Sequence, residues 1–232
     1  MIDSEIKDIL SDFKRLRDIP HFISFEGIEG SGKTTQAKIL TSTLKKIGFP
    51  AILVKDPGTT KLGEKIRKIL KSNIEISPTA ELFLFLSARR QLVEEIIKPA
   101  LRKGKIVISD RFSHSTLAYQ GRGRMLFPET LPMLCYLSTG GVEPEIVIVI
   151  DVRPEVGIAR LKERYKQDEN KKDRFEREGE EFLRRVREYY IEISKTEDSV
   201  FIVDGENDPA EVFKMVLLKI YNFSKEKYGL IK

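Results

Sequence analysis

Apolar residues along this chain occur in two kinds of pattern. Short runs rich in valine and isoleucine lie at 22–26, 51–55, 105–109, 145–151 and 199–203. These runs do not alternate strictly with polar residues, which is typical of strands buried on both faces. Because longer stretches with helical periodicity lie between them, the pattern predicts a parallel sheet with crossover helices.

The longer stretches predict helices on both sides of a five-stranded parallel sheet. Their apolar residues recur at intervals of three and four. The predicted helices lie near 33–47, 61–71, 79–103, 113–120, 129–139, 155–166, 176–195 and 209–226. Pro78 and Gly104 are ordinary boundary residues for the third of them. The expected fold class is α/β, in three layers.

The first 20 residues form an extension that the sheet pattern does not use. Apolar residues recur there at helical spacing, at Ile2, Ile6, Ile9, Phe13 and Leu16. This spacing predicts an amphipathic helix docked on the domain or on a second subunit. With no internal repeat and no long linker, residues 21–232 are expected to form one domain.

Composition narrows the class of protein. The formal net charge is +5 over 232 residues, and bound nucleotides explain a mild basic excess as well as nucleic acid does. No apolar run approaches the roughly 20 residues that cross a bilayer, and the first 20 residues suit neither a secretory signal nor a transit peptide. Cys135 is the single cysteine. We therefore expect a reducing compartment, the cytoplasm, and no membrane partner.

The stretch FEGIEGSGKTTQ, residues 25–36, contains the motif G-x-x-x-x-G-K-[ST] between a predicted strand and a predicted helix. That is the context of a phosphate-binding loop, whose backbone N–H groups surround phosphates at a helix N-terminus. Lys33 is expected to reach the β- and γ-phosphates, and Thr34 to bind Mg²⁺. The residues predicted to bind the nucleotide are Gly27, Glu29, Gly30, Ser31, Gly32, Lys33, Thr34 and Thr35. The expected fold is that of a P-loop NTPase.

A second chemical signal, Asp110-Arg111, follows the third predicted strand. The carboxyl ends of parallel strands meet at the ligand-binding edge of a sheet, so both side chains are expected beside the phosphate loop. Asp110 can hold Mg²⁺ or its water, and the planar guanidinium of Arg111 suits a phosphate group. Taken alone, the pair is also compatible with a surface ion pair.

Five stretches, in this order, resemble the thymidylate kinase family of bacteria and archaea over roughly residues 21–226. They are EGIEGSGKTT (26–35), KDPGTT (55–60), FLFLSARRQLVEEIIKPAL (83–101), SDRFSHSTLAYQGRGR (109–124) and EIVIVIDVRPEVGIARLKER (145–164). The resemblance implies that a homodimer transfers the γ-phosphoryl group of Mg-ATP to dTMP, giving dTDP. Another nucleoside monophosphate or deoxynucleoside kinase stays open as an alternative, and a GTP-dependent switch as a distant one.

The resemblance also implies the substrate site, position by position. Arg111 is expected to bind the phosphate of dTMP and Glu29 its 3′-hydroxyl group. Phe85 is expected to stack on thymine, with Arg89 one helical turn further on the same face. Without the resemblance, Phe85 would be interpreted as a core residue and Arg89 as part of a solvated pair with Arg90. The remaining expected substrate contacts are Asp56, Pro57, Ser115, Thr116, Tyr119 and Gln120, of which Tyr119 resembles a tyrosine that excludes a ribose 2′-hydroxyl.

The chain departs from the family pattern in two loops. KDPGTT stands where the family usually has Arg-Glu-Pro-Gly-Gly-Thr. Lys55 therefore lacks a bidentate guanidinium, and Thr59 adopts positive φ less readily than glycine. The Asp56–Pro57 bond is a candidate cis peptide, because such bonds occur in tight turns. Gly30 stands where some relatives carry an arginine, which moves that role to the basic residues described next.

The charged run YKQDENKKDRFERE, residues 165–178, lies between two predicted helices. It is compatible with a solvated surface segment. The functional interpretation is a lid, about 160–176, that grips phosphate and excludes water. The expected lid cations are Arg160, Arg164, Lys171, Lys172 and Arg174. Arg164 and Arg174 are expected to join Lys33, Asp110 and Arg111 as catalytic residues.

Two further motifs are interpreted as coincidence. N-K-x-D at 170–173 matches the guanine-reading motif of GTPases, but no predicted strand precedes it. GRGR at 121–124 is one short basic repeat, and a flexible loop beside an anion site explains it, so no nucleic acid partner is expected. His21 and His114 have no neighbours at metal-ligand spacing, which leaves Mg²⁺ as the expected metal.

Overall fold

The computed structural model describes residues 4–16, 18–166 and 174–230. At its centre, five parallel strands form one sheet in the order β2-β3-β1-β4-β5. The strands are β1 Phe22–Glu26, β2 Ala51–Lys55, β3 Ile106–Asp110, β4 Ile146–Asp151 and β5 Val200–Asp204. The five predicted strands are confirmed, each to within one residue at either end.

The middle of the sheet is buried on both faces. Every residue of β1 and β3 is buried, and successive side chains of a strand point to opposite faces. Ile23 and Phe25 therefore join the hydrophobic cluster on one side of the sheet, and Phe22 joins a cluster on the other. This explains why the strands appear in the sequence as continuous apolar runs.

Helices cover both faces of the sheet. Their bounds are α1 Ser4–Phe13, α2 Lys33–Lys46, α3 Lys61–Lys71, α4 Pro78–Leu92, α5 Lys98–Arg102, α6 Ser113–Thr116, α7 Leu131–Thr139, α8 Pro154–Arg164, α9 Glu180–Ile193 and α10 Pro209–Tyr228. α1, α2 and α10 share one hydrophobic cluster with the sheet. α3, α4, α5 and α9 contribute to clusters on the opposite face. The expected three-layer α/β architecture is confirmed. Within the described ranges, no helix is long and apolar enough to span a bilayer.

Two predicted helices contain π-helical turns. The predicted helix 79–103 consists of α4, a π-helical segment Val93–Ile97 and α5, and the predicted helix 113–120 consists of α6 and a π-helical segment Leu117–Gly123. π-Helical turns often lie at functional sites. The second segment carries Tyr119 and Gln120, two of the predicted substrate contacts.

The N-terminal helix packs on the same domain, which confirms one of the two expected docking surfaces. Phe13 is completely buried and its ring lies 5.9 Å from that of Tyr221 in α10. Leu16, just after the helix, forms an isolated antiparallel bridge with Leu230. The predicted apolar stripe is buried at Ile6, Phe13 and Leu16 and half-buried at Ile9, whereas Ile2 lies outside the described residues. The domain boundary at residue 20 stays a prediction.

Candidate active site

The phosphate loop connects β1 to α2 at the carboxyl edge of the sheet. Gly30 has a φ of 75°, and a Cβ atom there would lie 2.3 Å from the carbonyl oxygen of Gly157 in α8. A side chain at position 30 would therefore require α8 to move. Arg160, three residues further along α8, donates a hydrogen bond to the Gly30 carbonyl at 3.4 Å. The helix that leads into the charged run thus brings a guanidinium to the side of the loop.

Lys33 is the buried cation of the phosphate loop. Its Nζ donates a hydrogen bond to the Ile28 carbonyl at 2.9 Å. Burial lowers the pKa of Lys33 to about 8, and the positive charge of Arg111 lowers it further than burial alone. The ammonium group is positioned for an anion, and its charge is sensitive to mildly alkaline pH.

Thr34 and Asp110 form the candidate magnesium site. The hydroxyl of Thr34 donates a hydrogen bond to Oδ2 of Asp110 at 2.7 Å. The other carboxylate oxygen, Oδ1, is buried and has no hydrogen-bond partner among the described residues. Mg²⁺ prefers such hard oxygens and usually keeps waters and substrate phosphates in its shell, so these two residues fit the metal. In the part of the chain that the structure describes, no group of three or more His, Cys, Asp or Glu side chains is arranged as a metal site.

Arg111 lies between the phosphate loop and the second π-helical segment. Its φ of 75° is uncommon for a non-glycine residue, and its guanidinium lies 4.7 Å from the centre of the Tyr119 ring. It donates hydrogen bonds to the Gly27 carbonyl at 3.1 Å, to Ser115 Oγ at 2.9 Å and to Glu29 Oε1 at 2.5 Å. The Tyr119 hydroxyl donates to the same carboxylate. The fold therefore brings five predicted site residues into one polar cluster.

Glu26, the last residue of β1, supports this cluster from within the core. Its side chain is completely buried. Its carboxylate accepts hydrogen bonds from the Phe112 N–H at 2.8 Å, the Ser115 hydroxyl at 2.5 Å and the Tyr190 hydroxyl at 3.1 Å. Burial raises the pKa of Glu26, although neighbouring positive charges and these hydrogen bonds oppose the rise. Glu26 is not among the residues predicted from the sequence. Its signal was a carboxylate ending an otherwise apolar strand, FISFE.

Arg89 is buried in the wall of the site. Its Nε lies 2.6 Å from Asp56 Oδ2, and its Nη2 donates to Thr116 Oγ1 at 2.7 Å. Burial alone would lower the pKa of Arg89, but the carboxylate of Asp56 raises this pKa overall. Nη1 is buried and has no hydrogen-bond partner within the described ranges, which leaves one donor for a ligand. The interpretation of Arg89 as a solvated surface charge is wrong, whereas its neighbour Arg90 is exposed and pairs with Glu94.

The other side of the site combines an aromatic ring with an amide. The ring of Phe85 in α4 is half-buried and lies 5.7 Å from that of Phe175, in an edge-to-face arrangement. The Nε2 of Gln120 donates a hydrogen bond to Oε1 of Glu81 at 2.8 Å. A flat apolar surface and a hydrogen-bonding edge are together what a nucleobase needs.

The KDPGTT loop shows how the chain accommodates its departure from the family pattern. The Asp56–Pro57 peptide is cis, as predicted, and Thr59 has a φ of 68° despite its branched side chain. The hydroxyl oxygen of Thr59 accepts a hydrogen bond from the backbone N–H of Lys55 at 2.8 Å. The threonine side chain therefore closes the loop on itself. Burial also lowers the pKa of Lys55.

The basic residues of the expected lid occupy different places. Arg164 lines the site, with its guanidinium 3.7 Å from Glu176. Arg174 pairs instead with Glu81 at 2.8 Å and is not among the residues that line the site. Its expected catalytic position is therefore not the one it takes in this conformation. Lys171, Lys172 and the N-K-x-D stretch at 170–173 lie outside the described residues.

One cavity of about 370 Å³ joins these groups, a volume typical of small-molecule sites. All the predicted site residues line it except Gly27, Ser31 and Arg174. Several further residues line the cavity without having been predicted as site residues: Lys55, Arg67, Leu70, Lys71, Tyr165, Phe175 and Glu176. Arg67, for example, donates a hydrogen bond to the Pro57 carbonyl at 3.0 Å, and nothing in its local sequence distinguishes it from a surface arginine.

Comparisons with known proteins agree with this geometry. The sequence model of the family described as thymidylate kinase matches residues 25–216. The thymidylate kinase of Fervidobacterium nodosum is 45% identical, with 87% of this chain and 98% of that protein covered. The thymidylate kinase of Thermosipho africanus is 46% identical, with 83% and 93% covered. The crystal structure of thymidylate kinase from Ehrlichia chaffeensis superposes with a TM-score of 0.70 at 31% identity, covering 87% of this chain and 97% of that one. The chain belongs to the thymidylate kinase family.

Proposed function

We propose that this protein transfers the γ-phosphoryl group of ATP to the 5′-phosphate of dTMP, forming dTDP and ADP. The main observation in support is one continuous cavity that is lined both by the phosphate-binding loop and by the expected acceptor residues. Lys33 lies at the loop, and Phe85 and Arg89 lie in the pocket wall. A phosphate loop alone would serve any nucleotide. The adjoining pocket, which combines the ring of Phe85 with the guanidinium groups of Arg89 and Arg111, supports a second nucleotide as the phosphoryl acceptor.

The reaction needs positioning and charge neutralisation more than proton transfer. The second pKa of a phosphate monoester is about 6, so the acceptor oxygen is largely ionised at neutral pH. That oxygen bonds to the γ-phosphorus while the bond to the β–γ bridging oxygen breaks and ADP leaves. Lys33 and Arg111 neutralise the two reacting anions and hold them in line, with Arg160 and Arg164 as the nearest described cations of the lid.

The polar cluster around Arg111 is suited to a deoxynucleoside monophosphate. Arg111 pairs with Glu29. The phosphate of dTMP would replace Glu29 as the partner of Arg111, and the released carboxylate would accept the 3′-hydroxyl group. Tyr119 packs against this pair, which supports its proposed role of excluding a ribose 2′-hydroxyl.

Mg²⁺ is the proposed cofactor, held by Thr34 and Asp110 together with the phosphates of ATP. The buried, unpartnered Oδ1 of Asp110 supports this assignment. When bound, the metal would neutralise negative charge on the transferred phosphoryl group.

A homodimer is the proposed assembly. Exposed apolar side chains lie on three neighbouring helices: Leu62 and Ile69 in α3, Phe83 in α4, and Met133, Tyr136 and Leu137 in α7. Exposed apolar residues on adjacent helices are typical of a protein interface. Sedimentation equilibrium of the whole chain would test this, and a monomer at micromolar concentration would refute it. For location we propose the cytoplasm, since one buried cysteine needs no oxidising compartment.

An ADP-release assay over a panel of nucleoside monophosphates tests the function. Strong turnover with dTMP is expected, and turnover with AMP or GMP but none with dTMP or dUMP would refute it. Arg111→Ala should lower kcat/KM for dTMP by about a thousandfold, the order of effect of removing a transition-state charge contact, with ATP binding nearly intact. Arg90→Ala is the matched control, because Arg90 is an exposed arginine that pairs with Glu94 outside the cavity.

A further inference from the structure

A completely buried carboxylate, Glu81, lies behind the wall of the cavity. It belongs to the first turn of α4 and is not among the residues that line the cavity. Three side chains donate to it: Gln120 Nε2 to Oε1 at 2.8 Å, Arg174 Nη2 to Oε2 at 2.8 Å, and Arg124 Nε to Oε1 at 3.4 Å. Burying a carboxylate is costly unless such partners surround it, so its place so close to the site requires an explanation.

The contact with Glu81 determines which way the Gln120 amide faces. A carboxylate accepts hydrogen bonds and donates none, so the NH₂ half of the amide must face it. The amide oxygen, Oε1, has no partner in the described part of the chain, and Gln120 lines the cavity. The group that Gln120 offers to a ligand is therefore an acceptor.

Arg124 and Arg174 hold the Glu81 carboxylate beside Gln120. Arg124 follows the second π-helical segment and also pairs with Glu178 at 2.5 Å. Arg174 belongs to the second half of the charged run and pairs with the Glu81 carboxylate. Both guanidinium groups donate to the Glu81 carboxylate. Neither can replace it as the acceptor for the Gln120 amide, because a guanidinium donates hydrogen bonds and accepts none.

A hydrogen-bond acceptor in the cavity wall distinguishes pyrimidines by their ring atom N3, which either donates or accepts a hydrogen bond. Thymine and uracil carry a hydrogen on N3 and donate it, whereas cytosine presents a lone pair at N3. A ligand that leaves a buried polar group of the site without a hydrogen bond is rejected strongly. A ligand that only fits the site less well is rejected much less strongly.

We propose that Glu81 is a positioning residue for base recognition. It fixes the Gln120 amide so that the cavity selects a pyrimidine with a donating ring N–H, as in dTMP, over dCMP. This inference rests on the proposed function, because it takes the cavity to be the dTMP pocket.

Glu81→Gln tests the inference with little change of volume. Its carboxamide can donate as well as accept, so Gln120 can hydrogen-bond in either orientation. We expect the ratio of kcat/KM for dTMP to kcat/KM for dCMP to fall about tenfold, the effect of one hydrogen bond of reversed polarity. A merely structural role would lower both values together and leave the ratio unchanged, which would overturn the proposal.

Two further variants separate polarity from local stability. Glu81→Asp keeps an acceptor-only group and should preserve the ratio even if the melting temperature falls. Arg124→Gln removes one cation from the carboxylate without changing what faces Gln120, so it should also preserve the ratio. A loss of selectivity in Arg124→Gln equal to that in Glu81→Gln would overturn the proposal.

A measurement on the wild-type chain keeps the inference testable if Glu81→Gln does not fold. The side-chain NH₂ hydrogens of Gln120, observed by ¹⁵N NMR, should stay protected from exchange when dTMP binds. Loss of protection on dTMP binding would overturn the inference while leaving the proposed function standing. Absence of dTMP turnover in the wild-type chain would overturn both.

Discussion

Replacing Glu26 by glutamine removes a buried charge from the site while keeping the size of the side chain. The carboxylate accepts hydrogen bonds from the Phe112 N–H and from the Ser115 and Tyr190 hydroxyls. A carboxamide has a single acceptor oxygen, and its NH₂ group only donates. At least one of the three donors must lose its acceptor. When the NH₂ group takes the place of Oε2, the Ser115 hydroxyl must turn, although it is also the acceptor for Arg111.

The size of the effect follows from these contacts. A buried donor without an acceptor costs about 1–3 kcal/mol. Because Ser115 links Glu26 to Arg111, we expect this cost to reduce binding of the acceptor phosphate in the transition state. At about 1.4 kcal/mol per tenfold change, kcat/KM for dTMP should fall about 5- to 150-fold. The KM for ATP should change much less, since Arg111 serves the acceptor.

The pH dependence provides a second, independent readout. Burial raises the pKa of Glu26 above its ordinary value, so its protonation begins at a higher pH than that of an exposed glutamate. If the ionised form supports Arg111, wild-type kcat/KM for dTMP falls as the pH drops through this raised pKa. The glutamine variant has no such group. The ratio of wild-type to variant activity should therefore shrink toward acidic pH, and the ionisation of dTMP itself cancels in that ratio.

Steady-state kinetics from about pH 5 to about pH 8 would check both expectations. Tyr190→Phe is the matched control, since it removes one donor from Glu26 but leaves the carboxylate and the ring packing. Its effect should be several times smaller. Equal activity of Glu26→Gln and the wild type at every pH would mean that Glu26 does not act through Arg111 as an ionised group, and would refute the reasoning.

Three other perturbations have expected outcomes. The affinity for ATP should decline as the pH rises through about 8, because Lys33 then loses its charge. A constant affinity up to about pH 9.5, measured by isothermal titration calorimetry, would contradict this. Phe13→Ala should lower the free energy of unfolding, measured by urea denaturation, by about 3–5 kcal/mol, because Phe13 is completely buried. Lys14→Ala, at an exposed position, is the control and should have little effect. Unchanged stability of Phe13→Ala would refute the packing of α1. Thr59→Ala and Thr59→Gly both lose the hydrogen bond to Lys55. Alanine must still adopt the positive φ of this position, whereas glycine relieves about 1–2 kcal/mol of strain. Thr59→Gly should therefore be the more stable variant. The opposite order of melting temperatures would contradict this.

The sheet and most of the helices could be predicted because their signals are local. A buried parallel strand needs a run of apolar residues wherever it lies in the chain, as in the stretch at 145–151. The phosphate loop was equally predictable, since its glycines, Lys33 and Thr34 stand within eight consecutive residues. Arg89 and Phe85 were assigned by resemblance to a family, because their helix alone does not distinguish a core residue from a ligand contact.

The parts of the site and fold that the sequence does not predict depend mainly on contacts between distant segments of the chain. Glu81 meets Gln120 and Arg174 only after α4, the second π-helical segment and the end of the charged run have come together. Glu26 similarly meets Tyr190 across 164 positions of sequence. Periodicity also does not reveal the π-helical turns, because segments of five and seven residues are too short to show a period of their own.

The packing of α1 on α10 has a consequence for how the chain folds during synthesis. The apolar face of α1 emerges from the ribosome well before Tyr221, against which Phe13 packs, because Tyr221 comes roughly 200 residues later. At about 5–20 residues per second, that interval lasts on the order of 10–40 s. Throughout it, Phe13 and its neighbours have no covering helix. Helix α1 is thus made long before the helix that covers it, and until then its exposed apolar face is a natural target for chaperones.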